Sequence, residues 1–170
     1  DPNGAYILFG EYPQSIKARD VKITSTQNEK GYYLGSDGAY YAKLLATPYL
    51  YSLAHYGCDM NDYKFTNRET VDTGSIYYFK VEPIKWRILR VSSSSALLIC
   101  DQAIDHRRFN VYYDPKPDGS RCAIYKTSEL REWLNNEFYK TAFSSMERQL
   151  ISLTNLENKM YNSGIWDGYT

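Results

Sequence analysis

The run from Ile76 to Cys100 constrains the fold more than any other stretch of the chain. It reads Ile76-Tyr-Tyr-Phe-Lys-Val81, then Glu82-Pro83, then Ile84-Lys-Trp-Arg-Ile-Leu-Arg-Val91, four serines, and Ala96-Leu-Leu-Ile-Cys100. In the middle segment Ile84, Trp86 and Ile88 fall on one side of an extended chain, and Lys85, Arg87 and Leu89 on the other. That period of two belongs to a sheet with one covered face. Three antiparallel strands are predicted, with turns at Glu82-Pro83 and at Ser92 to Ser95.

After a loop containing Pro115, Pro117 and Asp118-Gly119 the period changes. Leu130, Trp133, Leu134 and Phe138 recur at i, i+3, i+4 and i+8, so they share one helical face, with Thr127 or Ser128 as the cap and Glu129 and Glu132 near the positive helix start. Ser144-Ser-Met-Glu147 is a capping box that opens a second helix reaching Leu150 or Ile151, with Met146, Leu150 and Ile151 expected inward. Strands followed by helices is an α+β order. It argues against the alternating strand and helix pattern of a doubly wound nucleotide-binding sheet.

The first half is sparser in signal. Ala5 to Phe9 reads as a strand ending at Gly10, and Glu11-Tyr12-Pro13-Gln14 as a turn. Ser15 to Lys30 is polar and carries little periodicity, which predicts loop or a short irregular element. Gly31 to Ser36 and Ala39 to Leu45 are strand-like runs joined by Asp37-Gly38, a hairpin turn. Asp59-Met-Asn61-Asp62-Tyr63-Lys64 lacks the third oxygen ligand and the glycine of a calcium loop. No internal repeat or linker divides the 170 residues, so one domain over 1–170 is expected.

Composition narrows the partners. Twenty Lys plus Arg balance twenty Asp plus Glu, so no general basic field attracts nucleic acid or anionic lipid. The apolar runs are strand-sized, far short of the roughly 20 residues that a membrane-spanning helix needs. Eighteen tyrosines cluster in pairs such as Tyr32-Tyr33, Tyr40-Tyr41, Tyr77-Tyr78 and Tyr112-Tyr113. They fit first the half-buried strands of an extracellular kind of β surface, and second, for some of the rings, a stacking platform for a sugar or peptide. Cys58, Cys100 and Cys122 are far apart and form no C-x-x-C, which removes the simplest zinc and redox readings.

Chemistry-bearing constellations are few. Asp101, Asp105 and His106 precede Arg107 and Arg108, a set that reads as a carboxylate orienting an imidazole beside anion-binding arginines, or as a charged turn leaving the sheet. His55 and Cys58 alone do not nominate a thiol nucleophile. No phosphate-binding loop, dinucleotide fingerprint or nucleophile elbow is present.

Gly10-Glu-Tyr-Pro-Gln14, Tyr78-Phe-Lys-Val-Glu-Pro-Ile-Lys-Trp-Arg-Ile-Leu89, Ala96-Leu-Leu-Ile99, and Ser128-Glu-Leu-Arg-Glu-Trp-Leu-Asn-Asn-Glu-Phe138 through Ala142-Phe143-Ser144 together resemble an uncharacterised domain family of exported and surface proteins of Gram-positive bacteria, many from the gut. The resemblance implies a C-type-lectin-like fold: a twisted antiparallel sheet with two short helices. Later family blocks are missing from this chain, so it is expected to be a divergent short member or the N-terminal part of a longer domain. The resemblance further implies an extracellular or cell-surface location after removal of an export signal.

The expected function is non-catalytic binding or adhesion toward a glycan or protein, with a structural interaction domain of a larger surface protein as the alternative. A hydrolase using Asp105 and His106 ranks third. For a glycan the nominated residues are Tyr112, Tyr113 and Asp114 in the proline-rich loop. Neither metal nor cofactor is expected, and no nucleic-acid partner.

Overall fold

The computed structural model describes residues 4–47, 64–65, 67–107, 109, 125 and 128–153. The fold is α+β, with an antiparallel sheet of six strands followed by short helices. The strands are β1 (Tyr6–Ile16), β2 (Ile23–Gln27), β3 (Tyr33–Gly35), β4 (Tyr40–Leu45), β5 (Ile76–Val91) and β6 (Ala96–Cys100). They pair in the order β1-β5-β4-β3-β2, and β6 also pairs with β5. The chain divides into two compact units, 1–10 with 85–170 and 11–84.

Two predicted breaks are absent. The first is at Glu82-Pro83, where β5 runs unbroken for 16 residues. Its pairs to β4 span Ile76 to Lys80 and its pairs to β6 span Trp86 to Val91, so Pro83 lies outside those two registers. The Gln14 side-chain amide donates to the carbonyls of Glu82 and Pro83 at 2.8 and 3.2 Å, and the Ser15 N–H donates to the Glu82 carboxylate at 3.1 Å. The proline is accommodated by side chains, which no local turn rule anticipates.

The second is at Gly10, where β1 continues to Ile16. Gly10 sits at φ +72°, and a Cβ there would lie 2.6 Å from the Phe143 ring and 2.7 Å from the Ala142 carbonyl. The glycine therefore marks a close approach rather than a strand end. Pro13 is tolerated because β1 is an edge strand. The loop predicted between Ser15 and Lys30 also contains a strand, β2, whose Thr24 to Gln27 side chains are all exposed. A polar edge strand carries no hydrophobic alternation by which to find it.

The expected hairpin is present. β3 and β4 pair antiparallel, and the turn closes with the Gly38 N–H on the Gly35 carbonyl at 3.0 Å, with Gly38 at φ +80°. In this unit Tyr41, 1% exposed, donates its hydroxyl to Asp37 at 2.8 Å. Burial and the Asp37 carboxylate push the phenol up to about 12, while the hydrogen bond from Tyr41 is the main cause holding the Asp37 carboxyl below its ordinary value. Val21, Tyr32, Ala42 and Ile84 are also buried in this unit, Ile84 at 0% exposure.

The other unit is organised around Phe143. Its ring is 5.2 Å from Phe9, 5.9 Å from Phe138, 6.2 Å from Tyr139 and 6.3 Å from Trp86, centre to centre. The Trp86 indole N–H donates to the Phe9 carbonyl at 2.7 Å. Ser128 caps α1 (Glu129–Trp133), which passes through a π-helical segment, Leu134–Phe138, into α2 (Tyr139–Ala142). The capping box of α3 (Ser145–Leu150) is formed as expected.

The inward face expected for α3 is overturned. Met146 and Leu150 are 76% and 73% exposed, and Ile151 is exposed as well. Polar groups attach this helix instead. The Glu147 carboxylate accepts from the Gly10 N–H at 2.9 Å and from the Ser144 N–H at 2.7 Å, and the Arg148 guanidinium donates to the Phe143 carbonyl at 2.7 Å. Six residues are too few to bury an apolar stripe, so the cap fixes the helix.

Gly10 and Gly38 share a positive φ but not surroundings, since a Cβ at Gly38 meets nothing within 4 Å. Gly38→Ala should cost about 1 kcal/mol of unfolding free energy, from backbone strain alone. Gly10→Ala should cost about 3 kcal/mol or more, because strain and overpacking add. Urea unfolding of both variants checks the difference; equal losses would refute the close approach.

Candidate functional site

Three places were candidates for chemistry or binding: the charged segment after β6, the outer face of the strands in the Phe143 unit, and a cleft in the other unit.

The charged segment is built as a turn. The Asp101 N–H continues the β5 to β6 ladder onto the Lys85 carbonyl at 2.9 Å, and its carboxylate lies 3.3 Å from Lys85 Nζ and 3.1 Å from Arg87 Nη2. Asp105 accepts from the backbone N–H of His106 at 2.6 Å and lies 3.6 Å from Arg107. Arg107 is also 3.8 Å from Glu137, and its guanidinium stands 4.6 Å from the Trp133 ring centre. The Trp133 indole N–H is buried with no hydrogen-bond partner among the described residues, and the Arg107 guanidinium over its ring adds cation–π attraction. Asp101 and Asp105 are thus engaged by different cations, on the sheet and in the turn, and no cluster of three metal-ligating side chains occurs among the described residues.

The outer sheet face follows from the period-two pattern. Ile84, Trp86 and Ile88 are the more buried set, and Lys85, Arg87 and Leu89 are exposed, as expected. On that outer side the Lys85 ammonium stands 3.9 Å over the Tyr6 ring, and Arg87 donates to the Tyr6 hydroxyl at 2.8 Å and to Asp101 at 3.1 Å. Arg87 pairs across the sheet with Ile99. Around this polar knot Leu8, 67% exposed, and Ile99, 51% exposed, stand open to solvent with Leu89 and Leu97. Packed strands with an uncovered apolar face present a contact surface, and the fixed cations and Tyr6 give it a polar centre.

The cleft of the other unit measures about 150 Å³ and is lined by Ile16, Lys17, the Arg19 and Glu69 pair, Ile76 and the adjoining Tyr77 and Tyr78. Arg19 Nε is 2.6 Å from Glu69 Oε1. The hydrogen bonds from Arg19 and then Asn67 hold the Glu69 carboxyl below its ordinary value. Lys17 directs its ammonium to the carbonyls of Ala18 and Val21, both at 2.8 Å. Sequence reading missed this cleft because its acid and base are 50 residues apart and no local motif joins them.

Tyr112, Tyr113 and Asp114, nominated for glycan binding, lie outside the described residues, as do His55, Cys58, Cys122 and most of the rejected calcium-loop segment. Cys100 is a free, partly buried thiol whose Sγ lies 3.0 Å from the Gln102 carbonyl. No helix among the described residues is long and apolar enough to cross a membrane.

Partial burial raises the Asp101 carboxyl, but hydrogen bonds from Arg87 and Lys85 outweigh it and hold the group below its ordinary value. A folded-state value below the unfolded one means the stabilisation is present above the ordinary carboxylate range and is lost as pH falls through the folded value. Melting temperature should therefore drop on acidification below about pH 4. Asp101→Asn should lower it at neutral pH and flatten that part of the profile; a profile unchanged by the substitution would remove Asp101 as a contributor.

Comparison with known proteins gives one finding. Residues 94–170 match the model of the family Domain of unknown function (DUF6273), a span that includes β6, α1 to α3 and the Ser128 to Phe138 block. No curated protein and no solved structure matches the chain. Over its C-terminal part the chain is therefore similar to an uncharacterised domain family.

Proposed function

We propose that this chain is a non-catalytic binding module of an exported, surface-located bacterial protein, and that it docks a partner protein through the outer sheet face around Tyr6. The observation that carries the reading is the exposure of Leu8, Leu89, Leu97 and Ile99 beside the fixed Tyr6, Lys85 and Arg87 group. Interfaces use such a composition: apolar contact area around aromatic and arginine anchors. The resemblance of its blocks to exported and surface proteins supports the location, and the order of sheet then helices is compatible with a C-type-lectin-like domain. The engagement of Asp105 by Arg107 and the His106 backbone favours the turn over a hydrolase at this place.

A second reading has its own support. Met146 and Leu150 stand exposed four residues apart on α3, and Leu153 is exposed beyond the helix end, as expected of a structural domain that packs against neighbours in a larger surface protein.

An array of surface proteins, glycans and mucins, probed with the wild-type chain and followed by calorimetry with and without EDTA, tests the proposal. A saturable hit on a protein, insensitive to EDTA, should weaken at least about tenfold in Leu8→Asp and Ile99→Lys at unchanged melting temperature. Binding that survives both substitutions but is lost on replacing Tyr112 and Tyr113 by Ala would move the site to the proline-rich loop. A blank from a folded protein would shift the reading to the structural domain.

A further inference from the structure

β6 pairs with β5 on one side, and the direction of its backbone groups follows from its neighbours. Ile88, opposite Leu98, directs both of its own groups to the other side of β5: its N–H donates to the Ala5 carbonyl at 2.9 Å and its carbonyl accepts from the Gly4 N–H at 2.8 Å. Leu98 therefore has no ladder bond to make with Ile88, and its N–H and C=O point away from β5. The bonds at both ends of β6 agree. The Ser95 carbonyl accepts from the Ser92 N–H at 2.8 Å and the Asp101 N–H donates to the Lys85 carbonyl at 2.9 Å, both on the β5 side, so the alternate residues Ala96, Leu98 and Cys100 turn theirs outward. Among the described residues no strand pairs with that outer edge.

The edge carries none of the usual protection. Sheets guard their edges with charge, proline or polar side chains. β1 contains Pro13 and β2 is polar along its exposed stretch, whereas β6 is Ala-Leu-Leu-Ile-Cys, with Ala96, Leu97 and Ile99 exposed. Such a strand is a template for an added one.

The sequence of β6 fits its own reverse. Two copies related by a two-fold axis at Leu98 set Leu98 against Leu98, Ala96 against Cys100 and Leu97 against Ile99, so every residue of the strand meets an apolar partner and the outward backbone groups close into ladder bonds. Ser95 then faces Asp101, whose carboxylate is already held by Lys85 and Arg87, and no like charges meet. Moving the axis to Ile99 would set Asp101 against Leu97, and moving it to Leu97 would set Cys100 against the turn residue Ser94. This self-match selects a second copy over an unrelated peptide. We propose that two copies of this chain pair antiparallel, edge to edge, through β6 about Leu98. The pairing is separate from the docking of another protein on the outer face, and a contact of five residues makes it a weak, reversible dimer.

Sedimentation equilibrium of the full chain under reducing conditions, from about 10 μM to about 1 mM, should show a monomer–dimer equilibrium with its dissociation constant in that range. Isotope-filtered NOEs in a mixture of labelled and unlabelled chain should join Leu97 of one copy to Ile99 of the other, a non-hydrogen-bonded pair with Cα atoms about 4.5 Å apart. Ala96→Pro removes an outward N–H at the first residue of the strand, where proline is tolerated, and should weaken dimerisation at least about tenfold with the melting temperature little changed.

A wild-type chain still monomeric at about 1 mM, intercopy NOEs confined to another surface such as α3, or undiminished dimerisation of folded Ala96→Pro would each overturn the proposal. A monomeric chain that binds a partner protein with sensitivity to Leu8→Asp would overturn this pairing alone.

Discussion

The close approach of Phe143 to Gly10 is the contact on which the rest of its unit depends. Four aromatic side chains, from two strands and the helical stretch, surround the Phe143 ring, and that ring fits only where the strand beneath it has no Cβ. The Gly10 N–H then faces Glu147, whose second oxygen closes the cap of α3. One carboxylate thus ties a strand position to a helix start 137 residues later, and the helix needs no apolar face to stay in place.

Several residues of the blocks that suggested a family have structural roles. Gly10 clears the ring, Gln14 and Glu82 complete the backbone around Pro83, Trp86 bonds to Phe9, Ser128 caps α1, and Phe143 is the hub. These residues specify how the chain packs and supply no reactive constellation. A resemblance built on them speaks to the fold and leaves the ligand open, and the family match over residues 94–170 is likewise to a domain without assigned activity.

Legibility followed the physics of each element. The alternation of Ile84, Trp86 and Ile88 announced a one-sided sheet, Asp37-Gly38 announced its turn, and Ser128 and Ser144 announced their helices, because in each case the information is local. Errors arose where distant groups changed the meaning of a residue. Pro83 reads as a turn until Gln14 is placed beside it, Gly10 as a terminus until Phe143 is placed over it, and Met146 as core until Glu147 is seen to do the anchoring. The sites were less legible still. The outer face is implied by the strand period, but its exposure is not, and Arg19 and Glu69 meet only in the folded unit.

Leu8, Leu97 and Ile99 stand open to solvent while Phe143 and its neighbours do the packing. Exchanging side chains on that face alters neither the aromatic hub nor the cap at Glu147. On the docking face proposed above, recognition and foldability fall on separate residues, and a domain that docks in this way can change what it recognises without crossing a stability threshold on the way.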